Sequence, residues 1–265
     1  MKSLKIIFFG TPSFVVPVLE ALNKHFTVVA VVTSPVTPAP VEVYANSHNI
    51  PVLSMEKLKN LKADLFVVAA FGKIIPRSII ESPKYKTLNI HPSLLPKYRG
   101  TAPIQNAILN GDRISGITIM QIDEKMDHGP ILVQEEFELS DKDTTEILYN
   151  KMFQKGAEML VRAIPEYLQN NLKPQPQDHS KATYTKMLKK EDGYFDINNP
   201  PSTQTLNRMI RAFYPWPTAW TKWQSKIVKF LPNKAIQVEG KKPVYVKEFL
   251  NGYPNFPKNI LECLQ

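Results

Sequence analysis

Short apolar runs separated by turn residues predict buried strands along the first two thirds of the chain. Residues 4–9, 27–33 and 64–70 are rich in β-branched and aromatic side chains, a composition typical of parallel strands covered on both faces. Between the first two runs, Thr11 is predicted to cap a helix that begins at Pro12. The chain therefore opens with a strand–helix–strand unit.

The alternation of strands and helices continues to residue 172. Further strands are predicted at residues 51–53, 87–90, 116–122 and 131–137, and helices at residues 41–49, 102–109 and 144–168. The run at 131–137 alternates between apolar and polar residues, which indicates the edge of a sheet. The helix at 144–168 is expected to be capped by Asp143 or Thr144. The predicted fold class is α/β, with a Rossmann-like sheet.

The pattern changes after residue 172. Residues 173–177 are polar and interrupted by prolines, which favours a linker. Beyond it, a helix is predicted at residues 203–213 and strands at residues 219–223, 226–230 and 243–246. We therefore predict a first domain at residues 1–172, a linker at 173–199 and a small β domain at 200–265.

Composition excludes several protein classes. With 43% hydrophobic and 22% charged residues, the 265-residue chain has an ordinary globular composition. It contains no apolar run of the roughly 18–20 residues that cross a bilayer, and its first apolar run is too short for a signal peptide. Cys263, the only cysteine, cannot form an intramolecular disulfide. We therefore expect a protein of the reducing cytoplasm with no membrane partner.

The positive charge is concentrated at one end of the chain. The net charge is +9, of which residues 1–172 contribute +1, from 18 basic and 17 acidic residues, and residues 173–265 contribute +8, from 15 basic and 7 acidic residues. Such asymmetry is typical of a polyanion-binding module joined to a neutral one. A solvated lysine-rich surface is the alternative, and charge alone does not separate the two.

Several common sites have no matching motif. Residues 10–14 follow the first strand but read GTPSF, with threonine, proline and phenylalanine where a dinucleotide-binding turn needs glycine. Neither the phosphate-binding GxxxxGK[ST] motif nor the hydrolase GxSxG motif occurs. No His, Asp or Glu cluster has the spacing of metal ligands, so no metal site is predicted.

Candidate chemistry lies where the fourth strand ends. Asn89 and His91 are two residues apart, so they project from the same face of a strand, and together they could stabilise an oxyanion and move a proton. Asp127, in a polar turn, could orient His91, with Asp123 and Glu124 as competitors. The alternatives are a histidine that caps a loop and an ordinary aspartate turn. The other four histidines, including His128 and His179, show no partner pattern.

One long motif carries a family resemblance. Residues 89–105 read NIHPSLLPKYRGTAPIQ, which resembles the signature of folate-dependent formyltransferases, and its APIQ ending resembles the branch that acts on methionyl-tRNA. Residues 9–14, 110–112, 116–120, 181–184, 210–217 and 239–243 match the same family in order. The resemblance implies a Rossmann-like formyltransferase domain followed by a basic, OB-like domain that binds tRNA.

The resemblance also implies a reaction and site residues. It implies transfer of a formyl group from 10-formyltetrahydrofolate to the α-amino group of initiator methionyl-tRNA, for translation initiation, with no metal. Asn89 and His91 would stabilise the oxyanion, and Asp127 would hold His91 and help to move the proton. The implied folate-binding residues are Phe71, Gly72, Lys73, Ile74, Ile75, Ser93, Leu94 and Asp123. The implied substrate- and tRNA-binding residues are Thr11, Phe14, Arg99, Gly100, Arg211, Lys241 and Lys242.

Three departures mark the chain as a shortened member. The family's basic loop is replaced by residues 36–40, which read VTPAP, strands of the small barrel are missing after residue 230, and His128 stands where threonine is usual. We therefore expect weak, salt-sensitive tRNA binding by a monomer with a truncated OB-like domain. Two rival functions stay open: formylation of an amino-sugar nucleotide, and a catalytically weak RNA- or folate-binding relative.

Overall fold

The chain divides into two compact units. The computed structural model describes residues 3–34, 39–261 and 264, so Cys263 and most of the shortened loop at 36–40 lie outside the described residues. The first unit comprises Met1–Gly100, Ile114–Glu138 and Tyr149–Tyr184, and the second comprises Thr101–Arg113, Leu139–Leu148 and Thr185–Gln265. The predicted domain boundaries at residues 172 and 199 stay a prediction.

A six-stranded sheet is the centre of the first unit. The first seven strands are β1 (Lys5–Gly10), β2 (Thr27–Val32), β3 (Leu65–Ala69), β4 (Thr87–His91), β5 (Arg99–Gly100), β6 (Ile114–Gln121) and β7 (Ile131–Glu138). All except β5 belong to this sheet, in the order β2-β1-β3-β4-β6-β7. Strands β1 to β4 are parallel, whereas β6 and β7 run antiparallel. The predicted edge position of residues 131–137 is therefore confirmed.

Buried apolar residues hold helices and loops against this sheet. The first five helices are α1 (Val16–His25), α2 (Pro40–Ser47), α3 (Arg77–Ile80), α4 (Pro103–Asn110) and α5 (Thr145–Leu168); of these, α4 and the first residues of α5 belong to the second unit. One core cluster consists of Ile7, Phe9, Ala30, Val32, Leu58, Phe66, Val68, Phe71 and Ile75. Because β1 to β3 are covered on both faces, each contributes a continuous apolar run.

Three local predictions need correction. Thr11 caps no helix, because its hydroxyl accepts a hydrogen bond from the Ser34 N–H at 3.0 Å and α1 begins only at Val16, after a 3-10 turn. Residues 51–53 form a single bridge, Val31 to Val52, instead of a strand. Val246 begins a helix instead of ending a strand.

At the start of α5, one of the two expected capping residues makes a capping contact: the Thr144 hydroxyl accepts a hydrogen bond from the Ile147 N–H.

An antiparallel sheet and three helices form most of the second unit. After β8 (Tyr184–Thr185), which pairs with β5, the elements are α6 (Thr203–Ala212), β9 (Ala219–Trp223), β10 (Lys226–Leu231), β11 (Ala235–Val238), β12 (Val244–Tyr245), α7 (Val246–Gly252) and α8 (Lys258–Leu261). Strands β9 to β12 form a sheet in the order β12-β11-β10-β9. A tight turn at Asn233 and Lys234, both with positive φ, joins β10 directly to β11. Among the described helices, none is long and apolar enough to cross a bilayer.

Candidate active site

The carboxyl ends of the parallel strands β3 and β4 lie at the same edge of the first unit's sheet. Asn89 pairs in register with Val68 of β3, and His91 pairs with Thr118 of β6. Asn89 is half-buried and His91 is 4% exposed. The two side chains are thus on one face at the edge where open α/β sheets bind ligands.

Asp127 is the carboxylate that faces His91. Its Oδ1 lies 3.6 Å from His91 Nδ1, and its Oδ2 accepts a hydrogen bond of 2.8 Å from the Gly100 N–H. The competing carboxylates are engaged elsewhere, Asp123 with His128 and Glu124 with Arg77. Asp127 has φ +49°, a left-handed conformation that costs an aspartate less than most residues. Within the turn, the backbone of Asp127 therefore has an uncommon conformation.

Both ring nitrogens of His91 face oxygen atoms. Nε2 lies 3.0 Å from the carbonyl oxygen of Tyr98, and Nδ1 faces the Asp127 carboxylate. A neutral ring carries only one N–H, so either neutral tautomer turns one lone pair toward an oxygen. The contact at Nε2 is within hydrogen-bond distance, whereas the contact at Nδ1 is longer.

The loop after His91 is held by polar contacts that the sequence analysis did not identify. The buried Thr118 hydroxyl donates to the Ser93 carbonyl at 2.6 Å and accepts from the Leu95 N–H at 3.2 Å. Gln134 on β7 donates to the Leu95 carbonyl at 2.9 Å. The sequence signal that could have identified Thr118 and Gln134 is a polar residue within an apolar strand or an edge strand. Because Ser93 is fully buried and donates to the Lys97 carbonyl, it supports the loop.

The predicted folate segment, residues 71–75, follows β3 at the same sheet edge. Phe71 and Ile75 are buried in the core beside Ile122, whereas Ile74 is 89% exposed. An ion pair between Arg77 and Glu124 links the end of this segment to the turn that carries Asp127.

Residues 72–74 are the exposed part of this segment. Residues 71–75 belong to no helix or strand, and the Phe71 carbonyl accepts a hydrogen bond of 2.7 Å from the Ser34 hydroxyl. Gly72 has φ +75°, and a Cβ there would meet only the Ser34 hydroxyl, at 3.9 Å. An exposed apolar side chain, Ile74, supplies a contact surface. Leu94 fills the space over Gly116, where a Cβ would meet it at 2.4 Å.

Arg99, predicted to bind substrate, is instead buried inside the first unit. Its side chain is 1% exposed, and its Nε and Nη2 donate to Gln177 Oε1 at 3.2 and 2.6 Å. Nη1 contacts the Tyr184 hydroxyl at 3.3 Å. The guanidinium therefore joins segments of the first unit. Because it is buried, it does not reach a bound substrate.

The other predicted substrate residues differ in accessibility. Phe14 is half-buried and stacks on Tyr149 with ring centroids 4.3 Å apart. In the second unit, Arg211 donates to the Asp143 carbonyl at 3.1 Å, and burial lowers the pKa of its guanidinium. Lys241 and Lys242 are exposed. Of the predicted basic contacts, these two lysines are the accessible ones.

Two histidines without a predicted partner form a stacked pair. The rings of His128 and His179 lie 3.9 Å apart at an angle of 9°. His128 Nδ1 contacts Asp123 Oδ2 at 2.6 Å, and His179 Nδ1 lies 2.9 Å from Arg99 Nη2. Partial desolvation, followed by the positive charges of His128 and Arg99, lowers the pKa of His179. The sequence shows no partner pattern for either residue and predicts surface or packing positions; His179 is exposed, and the ring of His128 packs on it.

In the described part of the chain, no group of three or more His, Cys, Asp or Glu side chains could hold a metal ion. The side-chain groups that the structure brings to this sheet edge are the amide of Asn89, the imidazole of His91 and the carboxylate of Asp127. Such a set can donate hydrogen bonds to a developing oxyanion and accept a proton.

Comparison with protein families gives two matches. Residues 4–164 match the formyl transferase family, and residues 187–237 match the formyl transferase C-terminal domain. A methionyl-tRNA formyltransferase from Chloroflexus aggregans is 43% identical over 247 residues, which cover 86% of this chain and 79% of the relative.

Solved structures show the same fold at lower identity. A methionyl-tRNA formyltransferase from Clostridium thermocellum superposes with a TM-score of 0.64 at 21% identity, covering 91% of this chain and 96% of that chain. WlaRD, a sugar 3N-formyl transferase crystallised in the presence of dTDP and 5-N-formyl-THF, gives a TM-score of 0.65 at 20% identity, covering 90% of this chain and 99% of that chain.

Proposed function

Because the chain belongs to the methionyl-tRNA formyltransferase family, we propose that it transfers a formyl group from 10-formyltetrahydrofolate to the α-amino group of initiator methionyl-tRNA, for translation initiation. The observation that carries the proposal is the placement of Asn89, His91 and Asp127 at one sheet edge, with His91 Nδ1 3.6 Å from Asp127 Oδ1. The family uses folate, and residues 71–75 fit a pterin ring along their backbone.

The reaction joins the amine nitrogen to the formyl carbon and breaks the bond from that carbon to the folate nitrogen. The amine must be neutral to attack, and α-amino groups have pKa values of about 7.7–8.0, so a useful fraction is neutral near pH 7. As the new bond forms, negative charge develops on the formyl oxygen. One proton must pass from the attacking amine to the departing folate nitrogen.

The chain's own residues have separate parts in this reaction. The Asn89 amide and the His91 ring stabilise the charge that develops on the formyl oxygen. For the ring to donate to that oxygen, one of its nitrogens turns from the oxygen that it faces, the Tyr98 carbonyl or the Asp127 carboxylate. Asp127 holds His91 in position and accepts the amine proton before it passes to the folate nitrogen. The buried Thr118 and the Gly100 N–H keep the loop and the carboxylate in place.

The second unit supplies basic side chains for the tRNA. The accessible Lys241 and Lys242 suit contacts with phosphates, which position a nucleic acid without reading its sequence. We further propose that the protein acts as a monomer in the cytoplasm of a bacterium.

An amino-sugar nucleotide is the alternative formyl acceptor, because the same three residues would serve it. Identity separates the two candidates: the methionyl-tRNA relative is 43% identical, whereas the sugar enzyme is 20% identical and shares the fold. The APIQ ending of the loop motif and the +8 charge of residues 173–265 also support the tRNA.

A formyl-transfer assay tests the proposal. The full-length protein is given 10-formyltetrahydrofolate with methionyl initiator tRNA or, separately, with an amino-sugar nucleotide. We expect formyl-methionyl-tRNA in the first reaction and no formylated sugar in the second. Absence of transfer to tRNA at high enzyme concentration would contradict the proposal, and transfer to the sugar alone would establish the alternative.

A further inference from the structure

Gln177 connects two loops of the first unit through a single buried amide. The residue is 6% exposed. Its Nε2 donates to the carbonyl oxygens of Asp127 at 2.9 Å and Gly129 at 2.7 Å. Its Oε1 accepts from Nε and Nη2 of Arg99 at 3.2 and 2.6 Å. Both N–H groups and both lone pairs of the amide are therefore used.

The same two loops also meet at the carboxylate of Asp127. The Gly100 N–H, next to Arg99, donates to Asp127 Oδ2 at 2.8 Å. Asp127 is thus held at two points: its carboxylate by Gly100, and its carbonyl by Gln177, which is itself bonded to Arg99. Two attachment points on one residue fix the rotation of its side chain as well as its position.

The conformation of Asp127 makes this attachment necessary. A residue with φ +49° sits in a sparsely populated region that persists only where the surroundings impose it. Gly129 is also constrained, since a Cβ there would meet the Gln121 carbonyl oxygen at 2.0 Å. Gln177 bonds to both residues, so it braces the turn on either side of His128.

We propose that Gln177 is a positioning residue, which acts through the carbonyls of Asp127 and Gly129 to keep the Asp127 carboxylate facing His91. Arg99 orients the amide of Gln177, because its two N–H donors bond to the amide oxygen and leave the amide nitrogen facing the turn. The inference rests on the proposed formyl transfer, in which Asp127 holds His91 and moves a proton. A misplacement of about 1 Å in such a group can cost about 100-fold in rate.

Two substitutions distinguish the role of the Gln177 N–H donors from the roles of its oxygen and its volume. Gln177→Glu keeps the size and the acceptor oxygens that face Arg99 but removes both N–H donors to the turn. Gln177→Met keeps the volume without donors or acceptors. Gln175→Glu is the matched control, because Gln175 is exposed and lies in the same segment, so it undergoes the same charge change outside the network.

The measurement is the single-turnover rate constant of formyl transfer at saturating enzyme, which does not depend on the folded fraction of a preparation. At pH 8 we expect Gln177→Glu and Gln177→Met to be about 10- to 100-fold slower than the wild type, with KM values for folate and tRNA changed less than about 3-fold. Gln175→Glu should stay within about 2-fold.

The rate deficit is also measured at pH 6, to test whether it depends on the protonation state of the introduced carboxyl group. Arg99 lies against the introduced carboxylate and favours its charged form, so Gln177→Glu lacks a donor to the turn at pH 6 as at pH 8, and its deficit should persist at both, as should that of Gln177→Met. The groups around the network that also titrate or carry charge are His91, Arg99, Asp127, His128 and His179, so each variant is compared with the wild type at the same pH.

The outcomes distinguish this inference from the proposed function. A wild type without transfer contradicts the proposed function. A wild type with normal transfer, and Gln177 variants within 2-fold of it or with KM values raised as much as the rate constant falls, contradicts the positioning role. A turnover-independent check is the ring ¹⁵N shifts of His91, which should change in both Gln177 variants and not in Gln175→Glu.

Discussion

The turn around Asp127 and the core of the second unit are stabilised in opposite ways. The turn is held by directional hydrogen bonds from Gly100 and Gln177. The core of the second unit is a cluster of apolar side chains, among which Val228, Phe230 and Ile236 are fully buried. Apolar burial supplies free energy without direction, whereas hydrogen bonds contribute little net free energy but fix atoms. Catalytic geometry and stability are therefore expected to respond to different substitutions.

The largest loss of catalytic rate is expected for His91→Ala. Loss of a group that donates to the developing oxyanion and moves a proton should reduce turnover by about 100- to 10,000-fold. Folate binding should persist, since residues 71–75 are unchanged. Steady-state kinetics and folate titration measure the two effects, with His25→Ala, an exposed histidine on α1, as the control. Unchanged turnover would remove His91 from the reaction.

The opposite result is expected for Phe230→Ala. Phe230 packs against Phe195 and Phe256 at centroid distances of 5.3 and 6.3 Å, and its truncation should lower the free energy of unfolding by about 3–5 kcal/mol. Urea or thermal unfolding measures the loss, while the single-turnover rate constant of folded protein should stay near the wild type. Lys226→Ala, at an exposed site on the same strand, should change stability by less than about 0.5 kcal/mol.

A smaller effect is expected at the exposed lysines of the second unit. If Lys241 and Lys242 contact phosphates, replacing both with glutamine should weaken tRNA binding and reduce the slope of log affinity against log salt by about 0.7–0.9 per lysine. Binding isotherms at several salt concentrations test this. Replacing Lys84 and Lys86, exposed lysines of the first unit, is the comparison; an equal change in both pairs would argue against a specific basic surface.

The smallest effect concerns His179. Desolvation and the nearby charges of His128 and Arg99 lower the pKa of this imidazole in the folded protein. On acidification below about pH 6.5, the unfolded chain therefore binds a proton at this residue before the folded chain does, and stability falls. His179→Gln should lose less thermal stability than the wild type between pH 7.5 and pH 5.5. A larger acid sensitivity in the variant would contradict the assignment.

Much of the fold follows from local pattern, since period and composition are properties of adjacent residues. The apolar runs that form β1 to β4 and the alternation of β7 were predicted within one or two residues of their observed bounds. The spacing of Asn89 and His91 placed them on one strand face, and the loop motif indicated the family. These inferences needed no knowledge of distant contacts.

Contacts between distant residues decided the rest. The choice of Asp127 over Asp123 and Glu124 depends on contacts that each carboxylate makes after folding. Gln177 lies 50 residues from Asp127 and 78 from Arg99, so no local pattern marks it. The sequence alone determined strands β1 to β4 and β7, the paired side chains of β4 and the charged tail. Only the tertiary structure determined which polar groups meet, because a buried hydrogen bond depends on geometry that distant segments supply together.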